Sequence, residues 1–440
     1  MSYRRGWVAL LLFTVVVINY IDRVALSVAA KPIASEFGLS PVEMGYLFSS
    51  FLWSYVLCLL PIGLVVDRFG SKTIIAAGLT IWSLATVFTG LTWNFGTILL
   101  ARLVMGVGEA TTYPAGARVI RDWIPERERG QITMIFNGGS AAGPALGALL
   151  AAWLASTFGW RTGFIVLGLL GFVWLAAWMT WFGAPERVSW LSPRERDKIL
   201  GERNGQGLAA AQESAPQSSL GYLLTNPTIW ALILSQATIV YGGYSFLTWL
   251  PTYLQQRLTL SVMGTGLFTS IPYTATLLVG LAIARMSDRL PSSNSIRSGA
   301  RRYFTAGTML FGLLALAAPM IDNAVLLTVL FTLVVASSNV SSALNMAILN
   351  DLSDNPRDAS RLMSLVILGG NCGGLIGPIV TGYVVQSTGE FIWAFRIASA
   401  LLVIGAILLL TMCRGRIAAQ HAPLRTLASS EIPVEAASFR

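Results

Sequence analysis

Charge is scarce in this sequence. Asp, Glu, Lys and Arg together make up only 12% of the 440 residues, whereas soluble domains carry about 25%. Hydrophobic residues make up 54% of the chain, and the mean hydropathy is +0.65. This combination excludes an ordinary soluble domain and indicates a chain that crosses a membrane several times.

Histidine and cysteine are nearly absent as well. His421 is the only histidine, so a histidine-ligated metal site is excluded and proton chemistry must use carboxylates. The cysteines Cys58, Cys372 and Cys413 lie in or at the end of apolar runs, without a spacing typical of metal ligands or disulfides. The sequence therefore predicts no metal and no cofactor, and we interpret the cysteines as small core residues.

Twelve apolar runs are long enough for a transmembrane helix, which needs about 20 residues. They cover roughly residues 7–29, 43–66, 73–92, 95–117, 131–155, 161–182, 228–253, 263–286, 303–320, 324–349, 362–386 and 391–413. The longest polar stretch separates the sixth run from the seventh. We predict an all-α polytopic membrane protein with a six-helix bundle over 1–183, a cytoplasmic central loop over 184–226, a second six-helix bundle over 227–413 and a cytoplasmic tail over 414–440.

The central loop divides into two parts. Ser192 is suited to cap a helix that Pro193 begins, and Glu195 completes a capping box, so a short helix is predicted there. Residues 205–219 are rich in Gly, Ala, Gln and Ser and are predicted to be a linker.

The positive charges are distributed unevenly. The net charge is +9, which could suggest a nucleic-acid partner. However, 24 of the 30 Lys and Arg residues fall on the side of the membrane that holds the N-terminus, and only Lys31, Arg161 and Arg257 fall in the opposite loops. Positive charge marks the cytoplasmic side. We therefore place both termini in the cytoplasm and exclude a nucleic-acid partner.

A short motif occurs twice. Asp67 and Arg68 follow the second span, and Asp288 and Arg289 follow the eighth at the corresponding place. Corresponding helices in two halves are expected in a transporter built from parallel repeats, with its site at their interface.

Four charges lie deep within predicted spans, all in the first half: Asp22, Arg23, Arg102 and Glu109. Each costs about 2.5–3.5 kcal/mol at the bilayer centre, so we predict a proton and substrate site. The alternative is a static ion-pair network that fixes helix packing, and for Arg102 the two interpretations are equally favoured. Gly106 and Gly108 predict close approach of another helix, which we expect to be the first span.

The repeated motif carries a resemblance to a known family. The residues Gly63, Asp67, Arg68, Gly70 and Lys72 have the spacing of the loop signature of the major facilitator superfamily, and the chain resembles that family over nearly its whole length. The resemblance implies the major facilitator fold, with two pseudo-symmetric bundles. We expect this motif to have a structural gating role, in which it latches cytoplasmic helix ends through charge and helix-dipole contacts, with Asp288 and Arg289 as its weaker second copy.

Three further stretches narrow the resemblance: residues 19–23, 102–110 and 369–371. They are similar to the anion:cation symporter family, which includes proton-coupled permeases for galactonate, glucarate, hexuronates and phthalate, and the lysosomal sialic acid exporter. The resemblance implies that Asp22 and Glu109 carry protons and that Arg23 binds a substrate carboxylate. Tyr20 and Tyr55 match positions that line the substrate site. Ser140 stands where the galactonate-type permease has a glutamine that bonds sugar hydroxyls.

The second half has only uncharged polar groups at helix depth. They are Gln236, Tyr241, Tyr244, Ser338, Asn339, Ser342, Asn345 and Asn371. Such groups could orient a hydroxylated or aromatic acid, although most of them bond between helices. We include Ser342, Asn345 and Asn371 among the candidate substrate contacts, and Asn371 also matches the family pattern.

These features predict a proton-coupled symporter that imports a small organic anion, such as a sugar acid, by alternating access. We expect a monomer in the lipid bilayer of the bacterial inner membrane. The alternative is a proton-driven antiporter that exports drugs or metabolites, because Gly139, Gly143, Pro144 and Gly147 resemble the span-five motif of such exporters. A membrane enzyme or a transport-like sensor is not supported, because the sequence contains no metal cluster, no nucleophile and base pattern and no sizeable soluble domain.

Overall fold

The computed structural model describes residues 3–212, 218–288, 300–353, 355, 358–413, 415 and 417. The first half consists of α1 Tyr3–Val28, α2 Ala30–Phe37, α3 Pro41–Phe69, α4 Ser71–Gly90, α5 Phe95–Glu109, α6 Thr112–Trp123, α7 Glu126–Phe158 and α8 Trp160–Trp181. The connecting helices are α9 Pro193–Gln212 and α10 Leu220–Leu224. The second half consists of α11 Pro227–Arg257, α12 Val262–Asp288, α13 Ala300–Leu310, a 3₁₀ segment Phe311–Met320, α14 Ala324–Leu352, α15 Ala359–Thr388 and α16 Ile392–Met412.

Each of the twelve predicted spans coincides with a helix or a pair of helices, which confirms the all-α polytopic fold. Ten stretches of the described chain are long and apolar enough to cross a membrane. The two predicted spans that are not among these ten stretches are the fourth and the eighth. The eighth corresponds to α12. The fourth span is interrupted at Ala110 and Thr111, between α5 and α6. The ninth span is α-helical only to Leu310 and continues as a 3₁₀ helix that contains Pro319.

The local chemistry of the residues at both ends of α3 fits where this helix begins and ends. Ser40 accepts a hydrogen bond from the Glu43 amide and forms a complete capping box at the start of α3. Gly70 joins α3 directly to α4 with φ at 79°, a backbone conformation that disfavours side chains with a Cβ. This requirement explains why the loop signature has a glycine at position 70.

The central loop differs from its prediction. α9 begins at Pro193 as expected, and the Glu195 amide contacts Ser192 Oγ at 3.4 Å. The helix is not short, because it continues to Gln212 through half of the segment predicted as linker. Residues 213–217 lie outside the described chain. Arg5 holds α9 to the first half through 2.9 Å ion pairs with Glu195 and with Glu128 on α7.

Glycines set the close approach of α1 and α7. A Cβ at Gly139, Gly143 or Gly147 would collide with backbone or side-chain atoms of α1. Tight packing of α7 on α1 therefore accounts for the glycines of the exporter-like motif.

The expectation for Gly106 and Gly108 was wrong. A Cβ at Gly106 would meet the Phe51 carbonyl on α3, and one at Gly108 would meet the Gly78 carbonyl on α4. These glycines bring α5 against α3 and α4, whereas α1 is the partner of α7.

The two halves meet near the face opposite the one at which α1 begins. There the start of α3 packs on the end of α15, where Gly45 contacts the Pro378 carbonyl and the hydroxyls of Tyr46 and Tyr383 are 3.1 Å apart. α7 contacts α12 in the same way, with Gly266 against Ala148. Further along α3, Leu57 and Leu64 are 77% and 76% exposed, so α15 does not cover them.

Candidate functional site

A buried ion pair lies at the centre of the first half. The Nε and Nη2 atoms of Arg23 on α1 are each 2.8 Å from Glu109 Oε2 on α5. The Arg23 side chain is 3% exposed and the Glu109 side chain is fully buried. Glu109 is the last residue of α5, and the break at Ala110 and Thr111 follows it directly.

Aromatic rings surround the Arg23 guanidinium. Its carbon lies 4.6 Å from the ring centre of Tyr20, 4.7 Å from that of Phe51 and 5.4 Å from that of Tyr55. Nη1 donates a 2.9 Å hydrogen bond to the Tyr244 hydroxyl on α11 of the second half. The rings stabilise the cation out of water, so the structure brings the predicted residues Tyr20 and Tyr55 to Arg23.

Asp22 and Arg102 complete the cluster without a direct pair. Asp22 is 2% exposed, and it makes no ion pair within 4.0 Å among the described residues. Adjacent helix positions point about 100° apart, so Asp22 faces Thr86 while Arg23 faces Glu109. Arg102 lies over the Phe51 ring at 5.0 Å and interacts electrostatically with both carboxylates. The four deep charges are therefore one cluster.

A cavity of about 240 Å³ lies between the halves next to this cluster. Its polar lining residues are Tyr20, Ser140, Tyr244, Tyr273, Ser338, Asn339 and Ser342. Arg23 is not in the lining. Tyr20 and Tyr244 both line the cavity and contact Arg23, so these two side chains separate the cavity from the guanidinium.

A hydrogen-bond network supports the second-half wall. Gln236 Nε2 donates to Ser342 Oγ at 2.7 Å, and Asn345 Nδ2 donates to Gln236 Oε1 at 3.0 Å. Asn345 is fully buried behind the wall. Asn371 is half-buried on α15 and is not among the residues that line the cavity, although its neighbour Gly370 packs on Gln236.

The repeated motif lies away from the cavity. Asp67 at the end of α3 accepts a 2.6 Å hydrogen bond from Arg118 on α6, and Lys72 Nζ donates to the Met179 carbonyl at 2.9 Å. Arg68 is exposed. Of the second copy, Asp288 ends α12 and Arg289 lies outside the described residues. The first copy joins helix ends, and its gating role stays a prediction.

Metal binding has no candidate ligands in the part of the chain that the structure describes. No three His, Cys, Asp or Glu side chains come together there. The acids and bases of the site are those of the four-residue cluster. An anion that binds Arg23 would replace the Glu109 carboxylate as the partner of the guanidinium.

Comparison with known proteins agrees with this architecture. The Major Facilitator Superfamily model matches residues 12–298 and 293–434. The probable galactarate/D-glucarate transporter GudP of Bacillus subtilis (strain 168) is 32% identical over 401 residues, which are 88% of this chain and 87% of that protein. The D-galactonate transporter of Escherichia coli O6:H1 is 29% identical over 417 residues, 92% of this chain and 94% of that one.

The crystal structure of a D-xylose-proton symporter superimposes with a TM-score of 0.74 at 14% identity and covers 96% of this chain and 100% of that chain. At this identity the likeness shows the fold. The relatives are named as transporters, which confirms that the chain is not an enzyme. With family matches along nearly its whole length, the chain is a multi-pass membrane transporter that belongs to the Major Facilitator Superfamily.

Proposed function

We propose that this protein is a proton-coupled symporter that imports a small organic anion, and that the anion is a sugar acid. The observation that carries the proposal is the Arg23–Glu109 ion pair, buried beside a cavity between the two halves. The names of the relatives, transporters of galactarate, D-glucarate and D-galactonate, support the choice of substrate class.

Competition for Arg23 couples the substrate to the proton. The two acids and two bases of the cluster sum to zero charge, so a substrate carboxylate at Arg23 leaves one negative charge in excess. An uncompensated buried charge costs several kcal/mol. A proton on Glu109 removes that excess and frees Arg23 at the same time. Asp22, which has no ion pair among the described residues, is the second proton carrier, and Arg102 keeps both carboxylates within reach of a positive charge.

The walls of the cavity suit a hydroxylated acid. Ser140 is on the first-half side, and Ser338, Asn339 and Ser342 are on the second-half side. Asn345 acts through Gln236, which it orients toward Ser342, and Asn371 becomes a contact only when α15 shifts. The 240 Å³ volume is below the range of about 300–1,000 Å³ for drug-sized ligands, as expected for a small substrate.

Alternating access follows from the way the halves meet. They contact each other on the face opposite the start of α1, while Leu57 and Leu64 on α3 stay uncovered on the near side. We infer that this is the state open to the cytoplasm, with both termini there and the protein in the bacterial inner membrane as a monomer. Residues 1–183 and 227–413 act as the two moving bundles, joined by the loop 184–226 and followed by the tail 414–440.

Purified protein in liposomes tests the direction of coupling. Radiolabelled D-glucarate, galactarate and D-galactonate are added outside the liposomes under a pH gradient of either sign. The test variant is Arg23→Ala, and its control is Arg396→Ala on α16. Arg396 is exposed and lies over Trp393. We expect the sugar acid to accumulate only when the outside is acidic. Each proton that moves down the gradient supplies about 1.36 kcal/mol of driving force per pH unit. We expect no uptake by Arg23→Ala.

The same assay decides against the exporter. An antiporter accumulates its substrate when the inside is acidic, so uptake under that gradient would contradict the symport proposal. Uptake of a sugar acid without any dependence on the gradient would contradict proton coupling. Uptake by Arg23→Ala equal to that of Arg396→Ala would contradict the carboxylate contact.

A further inference from the structure

One tyrosine in the wall of the cavity has a hydroxyl without a partner. Tyr273 lies on α12 and is 6% exposed, and within the described part of the chain its hydroxyl makes no hydrogen bond. A buried tyrosine hydroxyl usually has a partner, because it gives up its bonds to water when it is buried. The hydroxyls of Tyr241 and Tyr253 are also buried and unpaired among the described residues, but of these three tyrosines only Tyr273 lines the cavity between the halves.

Four other polar side chains of the cavity wall already bond to the protein. Ser140 Oγ donates to the Asn137 carbonyl, Asn339 Nδ2 donates to the Val335 carbonyl, the Tyr244 hydroxyl accepts from Arg23, and Ser342 Oγ accepts from Gln236. Tyr273 differs from them, because no group in the described part of the chain accepts its hydroxyl hydrogen.

Two helix contacts fix where Tyr273 lies relative to α7. Gly266, two turns before Tyr273 on α12, packs on Ala148, and a Cβ at Gly138 would be 3.9 Å from the side chain of Leu277, one turn after Tyr273. Residues four and seven positions apart share one face of a helix, so Tyr273 is on the face of α12 that meets α7. The two helices run antiparallel there, and Tyr273 is level with the part of α7 midway between Ala148 and Gly138.

Pro144 leaves a carbonyl group free in this part of α7. Because proline has no N–H, position 144 cannot donate to the Ser140 carbonyl as a helix interior normally would. Ser140 and Pro144 are one turn apart and both line the cavity, so the face of α7 with this carbonyl is turned toward the cavity. An acceptor of α7 and the donor Tyr273 of α12 therefore lie at the same level of the cavity wall.

We propose that Tyr273 is a specificity-determining residue whose hydroxyl, together with the Ser140 carbonyl, binds one hydroxyl group of the sugar acid. This inference rests on the proposed function and deepens it, because it states which feature of the substrate this wall recognises. A sugar hydroxyl accepts from Tyr273 and donates to the carbonyl, so it satisfies both groups at once. A carboxylate only accepts, and the carbonyl repels it. The pair therefore selects a carbon with a hydroxyl group, while Arg23 takes the carboxylate.

The affinities for two acids of equal length test this assignment. D-glucarate and adipate are linear diacids with the same number of carbons, but only D-glucarate has hydroxyls, and D-galactonate and hexanoate form a second such pair. Calorimetry on the purified protein measures each affinity, and competition with radiolabelled sugar acid measures the weaker ones. Tyr273→Phe keeps the ring and removes only the hydroxyl. We expect it to lower the affinity for the sugar acid about threefold to tenfold, as for one net hydrogen bond, and to leave the affinity for the hydroxyl-free acid unchanged.

Tyr253→Phe is the matched control. It removes a similarly buried and unpaired hydroxyl of a tyrosine that is not among the residues lining the cavity, and it should bind both acids like the wild type. Pro144→Ala is the second test variant, because it adds an N–H that can bond to the Ser140 carbonyl. It should also lower the affinity for the sugar acid and spare that for the hydroxyl-free acid, and it keeps the proposal testable if Tyr273→Phe does not fold.

The outcomes separate this inference from the proposed function. A wild type that binds no sugar acid contradicts the proposed function and the inference with it. Unchanged sugar-acid affinity in Tyr273→Phe, when the wild type binds the sugar acid, contradicts the inference alone. Equal loss of affinity for both acids also contradicts it, because that result shows that the hydroxyl only supports the structure of the wall. If the hydroxyl-free acid does not bind even the wild type, weaker sugar-acid binding by Tyr273→Phe than by Tyr253→Phe supports the inference, and equal binding contradicts it.

Discussion

Arg23 Nη1 donates a 2.9 Å hydrogen bond to the Tyr244 hydroxyl, and this bond joins α1 of the first half to α11 of the second half at the wall of the cavity. The Tyr244 ring also stacks on Phe51 of α3, with centres 6.1 Å apart. The guanidinium that pairs with Glu109 is thus in contact with both halves.

Tyr244→Phe tests this contact. The variant keeps the ring but removes the hydroxyl that competes for Arg23, so we expect Arg23 to bind a substrate carboxylate more tightly, by about threefold to tenfold. A net hydrogen bond to a charged group is worth about 1.5–3 kcal/mol, which sets the upper limit. Binding of D-glucarate by calorimetry measures it. Tyr241→Phe is the control, because the Tyr241 hydroxyl is buried without a partner among the described residues, and weaker binding by Tyr244→Phe would contradict the expectation.

Gly242→Ala tests whether α11 must bend. A Cβ at Gly242 or Gly243 would meet nothing within 4 Å, so helix packing does not explain this pair beside Tyr244. Alanine stabilises a helix interior by about 0.5–1 kcal/mol relative to glycine, and paired glycines are sites of helix bending. We expect Gly242→Ala to raise the unfolding temperature and to lower the maximal transport rate.

The control is Gly373→Ala on α15, where a Cβ would collide with the Ala237 carbonyl. That variant should lower the unfolding temperature. An unchanged transport rate in a stabilised Gly242→Ala protein would mean that the glycine pair has no part in the motion.

Asp358→Ala tests how the central loop is attached to the second half. The carboxylate of Asp358 is buried and accepts hydrogen bonds from Ser218 N at 2.8 Å and Ser218 Oγ at 2.6 Å, while Arg361 donates to the Ser218 carbonyl at 2.6 Å. We expect the variant to lose about 1.5–3 kcal/mol of stability and to become more sensitive to limited proteolysis in the loop. Asp197→Ala, on the exposed side of α9, should behave like the wild type.

Glu36→Gln gives a pH-dependent stability. The hydrogen bonds from Arg161 at 2.7 Å and Trp160 at 2.8 Å hold the pKa of Glu36 below its usual value. A lowered folded-state pKa stabilises the protein above the unfolded pKa of about 4.3, and this contribution is lost as the pH falls through the folded pKa. We expect Glu36→Gln to be less stable at neutral pH by about 0.2–1 kcal/mol, the range for exposed pairs.

Thermal unfolding at several pH values measures the difference, which should vanish in acid. Glu390→Gln is the control, because Glu390 is exposed and makes no ion pair among the described residues. A difference between Glu36→Gln and the wild type that grows toward acid would contradict the expected direction of the pH dependence.

The sequence predicted the spans and the deep charges well, because both depend on the cost of placing polar groups in a bilayer. Depth within the predicted spans singles out Asp22, Arg23, Arg102 and Glu109, and the structure brings these four side chains into one cluster. Their pairing could not be predicted in this way, because it depends on which helices pack together. Gly106 and Gly108 show the limit, since their spacing predicts a close helix neighbour but does not say which one.

Backbone breaks were harder to predict. Pro114 in the apolar run 95–117 has no N–H to donate to the Ala110 carbonyl, so it is a sequence signal for the interruption at Ala110 and Thr111. The 3₁₀ segment Phe311–Met320 is as apolar as the helices around it. Tyr244 was one of eight polar groups at helix depth with no signal to separate it from Tyr241. Only the arrangement of α11 against α1 turns one toward Arg23, whereas Asn371, favoured by the family pattern, does not reach the cavity lining.

Proton uptake on substrate binding tests the central claim most directly. Calorimetric titration of D-glucarate in buffers of different ionisation enthalpy gives the number of protons taken up per substrate bound. We expect about one proton at neutral pH for the wild type and none for Glu109→Gln, whose neutral side chain already leaves Arg23 free. Binding without proton uptake by the wild type, or equal proton uptake by Glu109→Gln, would contradict the exchange of Glu109 for a substrate carboxylate at Arg23.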